Sequence, residues 1–235
     1  MNGAASPDQD VFVVIPAAGD GVRLGLGVRK AGVELAGRSL VVWAMRAVER
    51  VPGFLAGALA VHADDLARAQ AEWIPRTRSG AKAWSAVIGG ATRQASVRHG
   101  IAQAPAQTRL ILVHDAARPL LHFDDLSRVV AAARTSGAAI LASRITDTIK
   151  EVRDGRIVAT LARDALWCAE TPQVFELALY QRALRHGAEI AGTDEAMVLS
   201  AAGIPVEVVE SQFKNFKITT QQDLDFATLF RAEDA

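Results

Sequence analysis

The chain has 235 residues, of which half are hydrophobic and 22% are charged, with 26 basic and 26 acidic side chains. This length fits one α/β domain with a large core. The balanced charge argues against nucleic-acid binding, because that function normally brings a basic excess. No apolar run reaches the ~20 residues that a membrane span needs, and residues 1–10 have no signal-peptide pattern. We therefore expect a soluble, cytoplasmic protein that binds neither nucleic acid nor a membrane.

The chain shows no repeat, linker or low-complexity tract that would divide it. We expect residues 1–10 to be a disordered N-terminus and residues 11–235 to form a single domain. The only cysteine, Cys168, has no partner for an internal disulfide, which is consistent with a reducing compartment. We interpret it as a packed thiol rather than a nucleophile.

Strand and helix patterns alternate along the chain. Residues 11–15 are apolar and mostly β-branched, which predicts a buried first strand that leads into a glycine-rich turn. Ser39 precedes apolar residues at helical spacing, so it is the expected N-cap of a helix that ends near Pro52. Further strands are predicted at residues 58–61, 83–88, 110–113, 138–143 and 206–209, and further helices at residues 92–102, 123–134, 175–185, 194–201 and from 220 onward. This order predicts an α/β fold with a doubly wound, mostly parallel, Rossmann-like sheet.

One segment departs from this alternation. Residues 147–161 contain two short β-prone runs on either side of Asp154 and Gly155, which is a typical hairpin signal. We expect this hairpin to form a β-arm that protrudes from the main sheet.

The densest chemical signal is the segment PAAGDGVRLGLGVRK at residues 16–30. Its four glycines free backbone N–H groups to face an anion, and Arg23 and Lys30 add positive charge, which is the composition of a polyphosphate cradle. The glycine spacing matches neither the dinucleotide-binding motif nor the P-loop. A mobile surface loop with incidental basic residues is the alternative. The position after the first strand favours the cradle, because ligands of open parallel sheets bind beyond the carboxyl ends of the strands.

A second signal, VHDAARP at residues 113–119, follows a predicted strand and so lies at the same edge of the sheet. There, Asp115 can help to hold Mg²⁺ and Arg118 can bind phosphate in a bidentate fashion. The alternative is structural, with Asp115 capping the next turn and Arg118 pairing with it. We assign His114 to packing or to a backbone hydrogen bond, because a phosphate nucleophile needs no general base.

A set of short motifs occurs in a fixed order along the chain. They are PAAGDGVRLG with Lys30, GGATRQASV at 89–97, HDAARP at 114–119, DTIK at 147–150, ETPQVF at 170–175, TDEA at 193–196 and NFKIT at 215–219. In order and spacing they resemble the 2-C-methyl-D-erythritol 4-phosphate cytidylyltransferases over nearly the whole chain after residue 10. The resemblance implies transfer of CMP from CTP to a small polyol phosphate, with release of pyrophosphate, in non-mevalonate synthesis of isoprenoid precursors.

The resemblance also implies a nucleotide site at matching positions. The CTP triphosphate would lie against the backbone of Ala17, Ala18, Gly19 and Gly21, and cytosine with its ribose would lie among Gly89, Gly90 and Ser96. The catalytic cations would be Arg23, Lys30 and Lys217.

The acceptor side follows from the same resemblance. The methylerythritol phosphate would be surrounded by Arg118, Thr148, Thr171, Thr193 and Lys217. Asp115 would contact the substrate and hold Mg²⁺ or another divalent cation. An arm of about residues 147–170 would join two subunits into a homodimer, with Arg163 reaching the acceptor phosphate of the neighbouring subunit.

The chain departs from the family pattern at two places. Family members usually have proline before the catalytic lysine and often glutamine after it, whereas Lys30 lies between Arg29 and Ala31. Asp20 puts an acidic side chain into the anion loop, where it either lowers the affinity for triphosphate or approaches a metal.

Two other functions remain as alternatives. A ribitol-5-phosphate cytidylyltransferase would share the loop, the aspartate and the acceptor lysine, although the segments HDAARP and TDEA favour the methylerythritol enzyme. A catalytically silent CTP-binding module would keep the cradle without the reaction.

Overall fold

The computed structural model describes residues 9–19, 29–185 and 192–232. The predictions for Gly21 and Arg23, and the question about Asp20, lie outside these described residues. Within them the strands are β1 (Val11–Ala17), β2 (Glu34–Leu35), β3 (Arg38–Ser39), β4 (Phe54–Val61), β5 (Trp84–Ile88), β6 (Leu110–Val113), β7 (Ala138–Arg144), β8 (Ile149–Arg153), β9 (Arg156–Leu161), β10 (Trp167–Glu176) and β11 (Glu207–Glu210).

The helices cover both faces of the main sheet. They are α1 (Leu40–Val48), α2 (Leu66–Arg68), α3 (Arg93–Ile101), α4 (Phe123–Ser136), α5 (Leu177–Arg185), α6 (Glu195–Ala201) and α7 (Gln221–Ala232). Short 3₁₀ or π turns occur at Lys30–Gly32, Ala63–Asp65, Ala69–Trp73, Ile74–Arg76 and Gly80–Lys82. None of the helices in the described ranges is long and apolar enough to cross a membrane.

The main sheet has the strand order β11-β7-β10-β6-β1-β4-β5. Strand β1 is buried on both faces, because Val13 and Ile15 pack with the core that contains α1 and α4, whereas Phe12 and Val14 pack with the core that contains α3, α5 and α6. It pairs in parallel with β4 and β6. The predicted doubly wound, mostly parallel α/β fold is therefore confirmed.

Strand β10 lies in the middle of this sheet and is antiparallel to both of its neighbours, β6 and β7. This strand was not predicted from the sequence. Its sequence, WCAETPQVFE, contains Pro172 and several polar residues, which argue against a central strand. As a result, the predicted helix over residues 175–185 began too early, and the structure places its start at Leu177.

The predicted hairpin is present as β8 and β9, which pair with each other in a separate two-stranded sheet. Its turn contains Asp154 and Gly155 with φ angles of 49° and 75°, the left-handed region that a tight hairpin turn requires. The arm is shorter than the predicted residues 147–170, because residues 167–170 already belong to β10.

Three smaller expectations differ from the structure. Ser39 precedes α1 as predicted, but its side chain makes no capping hydrogen bond. Cys168 is exposed rather than packed. Asp10, within the N-terminal segment expected to be disordered, accepts hydrogen bonds from Arg134 at 2.6 and 2.8 Å. Residues 1–8 lie outside the part of the chain that the structure describes.

Candidate active site

A cavity of about 940 Å³ opens at the carboxyl ends of the parallel strands β1, β4, β5 and β6. This is the edge where open α/β sheets bind their ligands. The described residues that line it are 16–19, 30, 31, 62, 63, 88–93, 96, 115–117, 217 and 219. The structure therefore brings together, around one cavity, Ala17, Ala18, Gly19, Lys30, Gly89, Gly90, Ser96, Asp115 and Lys217 from the predicted site.

Lys30 begins a 3₁₀ turn beside this cavity, and Ala31 in the same turn is buried. Arg29, which stands where family members usually have proline, has φ of −64° and ψ of 141°. Proline would hold the same φ through its ring. Here the guanidinium of Arg29 bonds to the Asp64 carboxylate at 2.5 Å instead. An ion pair thus ties the segment before Lys30 to the turn that follows β4.

Close packing at the end of β5 leaves room only for glycine at position 89. A Cβ atom at this position would lie 2.4 Å from Cβ of Ala18 and 2.8 Å from Oγ of Ser96. The Ser96 hydroxyl is buried and accepts a hydrogen bond from the backbone N–H of Gly90 at 3.1 Å. The loop after β1 and the loop after β5 therefore meet without room for a side chain between them.

Asp115 follows β6 and is almost fully buried, with 8% of its surface exposed. Its backbone N–H donates to Oγ1 of Thr171 at 3.0 Å, and the same hydroxyl lies 3.1 Å from Nδ1 of the buried His114. Nε2 of His114 lies 3.0 Å from the carbonyl oxygen of Arg118, which can only accept a hydrogen bond. We therefore assign the proton of the neutral ring to Nε2, and Thr171 donates to Nδ1. These contacts fix the loop that carries Asp115.

Lys217 is far from Asp115 in sequence, yet its Nζ lies 2.7 Å from Oδ2 of Asp115. Two backbone contacts of the neighbouring residues hold it there. Ile218 is fully buried, and its N–H donates to the Ala117 carbonyl at 2.9 Å. Arg118 donates from Nη1 to the carbonyl of Asn215 at 2.6 Å. The segment around Lys217 is thus attached to the same loop that presents Asp115.

Two charged residues that the sequence analysis did not predict complete this cluster. Nε of Arg93 lies 3.2 Å from Oδ1 of Asp115, and Nη1 of Arg93 lies 2.8 and 2.9 Å from the two carboxylate oxygens of Glu195. Arg93 lines the cavity, whereas Glu195 lies behind it and is 1% exposed. Both residues occur in motifs quoted above, but nothing in the local sequence shows that they pair.

The cations determine the charge state of Asp115. Burial by itself would raise the pKa of its carboxyl, but Arg93 and Lys217 hold that pKa well below the usual range of an aspartate. The pKa of Glu195 shifts in the other direction, because burial raises it and Arg93 only partly opposes the rise. Asp115 is therefore a stable anion that carries two cations at the cavity wall.

The remaining predicted acceptor residues do not line this cavity. Arg118 donates its guanidinium hydrogens to the backbone carbonyls of Asn215 and Ala169, so the structural alternative, in which Arg118 pairs with Asp115, is not the observed arrangement. Thr148 and Thr193 are exposed. Arg163 is exposed just after β9, and its Nη1 donates to the carbonyl of Thr146.

The described residues form no ready-made metal site. Within residues 9–19, 29–185 and 192–232, no group of three histidine, cysteine, aspartate or glutamate side chains is placed to hold an ion. Asp115 is the single carboxylate among the described residues that line the cavity.

A doubly wound sheet with Lys30, Arg93, Lys217 and the Gly89–Gly90 turn at its carboxyl edge suits a nucleotidyltransferase. The family model described as IspD, 2-C-methyl-D-erythritol 4-phosphate cytidylyltransferase, matches residues 11–232. The chain belongs to this family. The family and the cytidylyltransferase function that were predicted from the sequence are confirmed by this match.

Individual relatives cover nearly the full chain. A 2-C-methyl-D-erythritol 4-phosphate cytidylyltransferase from Desulforamulus reducens is 37% identical over 224 residues, which span 94% of this chain and 95% of the relative. The crystal structure of the enzyme of that name from Thermus thermophilus has a TM-score of 0.77 and 32% identity, covering 95% of this chain and 99% of that one. The 4-diphosphocytidyl-2C-methyl-D-erythritol synthase from Anaerococcus prevotii has a TM-score of 0.81 and 26% identity, with coverage of 95% and 96%.

The buried imidazole of His114 predicts a pH dependence of stability. Burial lowers the pKa of His114 to about 4 from its ordinary value of 6.5, so the unfolded chain takes up a proton that the folded chain resists. The stabilisation is complete above pH 6.5 and is lost as the pH falls toward 4. The loss amounts to at most about 3 kcal/mol. Urea unfolding between pH 4 and 7, without divalent cations, measures it.

The matched variants for this measurement are His114→Gln and His99→Gln. His114→Gln should be less stable at pH 7 but should lose less stability on acidification. His99 is exposed, and its replacement should leave the slope intact. An unchanged slope in His114→Gln would show that other groups cause the acid sensitivity.

Proposed function

We propose that this chain transfers CMP from CTP to 2-C-methyl-D-erythritol 4-phosphate, with the reaction taking place in the cavity at the carboxyl edge of the sheet. The observation that carries the proposal is the convergence of Lys30, Arg93 and Lys217 on one cavity, with Asp115 between the last two. The volume of about 940 Å³ is within the range of small-molecule sites. Three cations suit a site that must hold a triphosphate and a phosphate together.

The chemistry needs no covalent enzyme intermediate. An oxygen of the acceptor phosphate attacks the α-phosphorus of CTP, the new P–O bond forms in line with the bond to the β-phosphate, and that bond breaks to release pyrophosphate. The two reactants are both anions and repel each other. The protein lowers the barrier by aligning them and by placing donors where negative charge develops, which contributes about 3–4 kcal/mol per well-placed donor in other enzymes.

The cavity residues divide this work. Lys30 and the backbone of Ala17, Ala18 and Gly19 bind the triphosphate, together with Arg23 and Gly21 from outside the described residues. Gly89, Gly90 and Ser96 surround cytosine and ribose, where closely packed backbone groups can read the edge of the base. Lys217 is held by Asp115 and binds the incoming phosphate.

The remaining acceptor assignments belong to the same proposal. Arg118 and Thr171 support Asp115 and Lys217 through the backbone and side-chain contacts described above, which favours a role at the acceptor side. Thr148 and Thr193 are exposed, and we assign them to the acceptor side through the family resemblance.

A divalent cation fits this cavity as a partner of the triphosphate. Each Asp115 oxygen accepts one hydrogen bond from a cation and retains a second lone pair. Mg²⁺ commonly takes one or two carboxylate ligands and completes its shell with phosphate and water oxygens. Asp115 would hold the ion in this way, and the ion would neutralise phosphate charge.

We further propose that the enzyme is a cytoplasmic homodimer joined through the β8–β9 arm. The arm exposes an apolar cross-strand pair, Val152 and Ile157, with exposed fractions of 55% and 66%. A second arm would cover this pair and bring Arg163 to the partner's acceptor site. The exposed thiol of Cys168 suits a reducing compartment, where CTP is also available.

A pyrophosphate-release assay tests the activity directly. With CTP, Mg²⁺ and 2-C-methyl-D-erythritol 4-phosphate, we expect one pyrophosphate per acceptor consumed, and a rate with ATP, GTP or UTP at least ~100-fold lower, because unpaired polar edges disfavour the wrong base. Faster turnover of ribitol 5-phosphate would reassign the acceptor. CTP binding without pyrophosphate release from either acceptor would identify a silent nucleotide-binding module.

The role of Lys30 predicts a large effect on turnover. Lys30→Ala should lower kcat by at least ~100-fold, because it removes a donor to the transition state, while circular dichroism shows an intact fold. Lys82→Ala is the matched control, since Lys82 is exposed and does not line the cavity. A normal kcat in Lys30→Ala would remove this lysine from the mechanism.

The arm predicts the oligomeric state. Sedimentation equilibrium should give twice the mass of one chain for the wild type, and Ile157→Asp should shift the protein toward the monomer, because a charge would be buried in the interface. Leu229→Asp changes a residue of similar exposure, 68% against 66%, on α7 and should stay dimeric. A dimeric Ile157→Asp variant would rule out this face of the arm as the interface.

A further inference from the structure

Glu195 is a buried carboxylate that contacts Arg93 but does not line the cavity. Glu195 is 1% exposed and begins α6. Its backbone N–H donates to Oε1 of Gln173 at 3.1 Å, which anchors this end of the helix to β10. A buried carboxylate costs stability unless it is paired. Glu195 is paired through both of its oxygens, at 2.8 and 2.9 Å, with one nitrogen of Arg93.

The position of Arg93 is not explained by helix stability. It is the first residue of α3, where the helix dipole disfavours a cation. Its guanidinium instead bridges two carboxylates from separate parts of the chain, Asp115 after β6 and Glu195 on α6. The planar, rigid fork of arginine can make both contacts at once, which the single ammonium of a lysine would not reproduce.

The charges then alternate from the interior to the cavity wall. Glu195 holds Arg93, Arg93 holds Oδ1 of Asp115, and Oδ2 of Asp115 holds Lys217 at 2.7 Å. Three of these four side chains line the cavity, and Glu195 does not. Without the negative charge of Glu195, Arg93 would retain Asp115 as its single acidic partner among the described residues. It would then compete with Lys217 for the same carboxylate.

We propose that Glu195 is a positioning residue for the cytidylyl transfer, which acts through Arg93 to fix the Asp115–Lys217 pair. The inference rests on the proposed function. Arg93 then has two roles, because it fixes Asp115 and also presents its own positive charge to the cavity. Glu195 itself touches neither substrate and contributes through the geometry of the residues that do.

The test is a double-mutant cycle on kcat and on the KM for CTP. Glu195→Gln keeps the shape of the side chain and removes its charge, and it should lower kcat at least ~10-fold while the KM for CTP changes less than ~3-fold. Glu195→Asp retains the charge and should restore part of the loss. In an Arg93→Gln background, Glu195→Gln should change kcat less than ~2-fold, because its effect passes through Arg93. Glu210→Gln, in an exposed ion pair with Arg144, is the control and should match the wild type.

Stability measurements separate this role from a structural one. Arg93→Gln leaves Glu195 buried without its cation and should lower the thermal midpoint, and adding Glu195→Gln should recover part of that loss. If the wild type is active, two results would overturn this inference without affecting the proposed function. One is a loss of kcat in the double variant that equals the product of the two single losses, and the other is wild-type kinetics in Glu195→Gln. No turnover by the wild type would overturn the proposed function and the inference together.

Discussion

The site depends on one carboxylate that carries two cations. Asp115 holds Lys217 and Arg93 on its two oxygens, at 2.7 and 3.2 Å, in a position that is 8% exposed. Because Asp115 is buried, losing either cation would leave its charge less well compensated, so the arrangement constrains the fold as well as the chemistry. Arg93, at the start of α3, and the segment around Lys217 both contact the loop that presents Asp115.

Much of the architecture could be predicted because its signals are local. The apolar run of β1 and the Asp154-Gly155 turn of the arm each specify their structure within a few residues. Asp115 and Lys30 could be placed at one sheet edge because each follows a recognisable strand or glycine-rich turn. Lys217 was assigned through the family resemblance alone, since its position depends on a backbone bond between Ile218 and Ala117, a contact between distant parts of the chain.

Strand β10 and the Arg93–Glu195 pair could not be predicted from the sequence, each for a physical reason. Strand β10 carries Pro172 and polar residues in the middle of a sheet, and its Thr171 makes contacts that hold the active-site loop. Arg93 and Glu195 stand 102 positions apart and pair only because α3 and α6 meet behind the cavity. An arginine at the start of a helix is unusual because the helix dipole disfavours it, but this position alone does not identify the partner of Arg93.

The proposed reaction requires the triphosphate of CTP and the acceptor phosphate to meet between Lys30 and the Asp115–Lys217 pair. A crystal structure with a non-hydrolysable CTP analogue, Mg²⁺ and the acceptor measures this most directly. The α-phosphate should contact Lys30, and the acceptor phosphate should contact Lys217. Phosphates bound elsewhere, with Lys30 or Lys217 turned away from them, would contradict it.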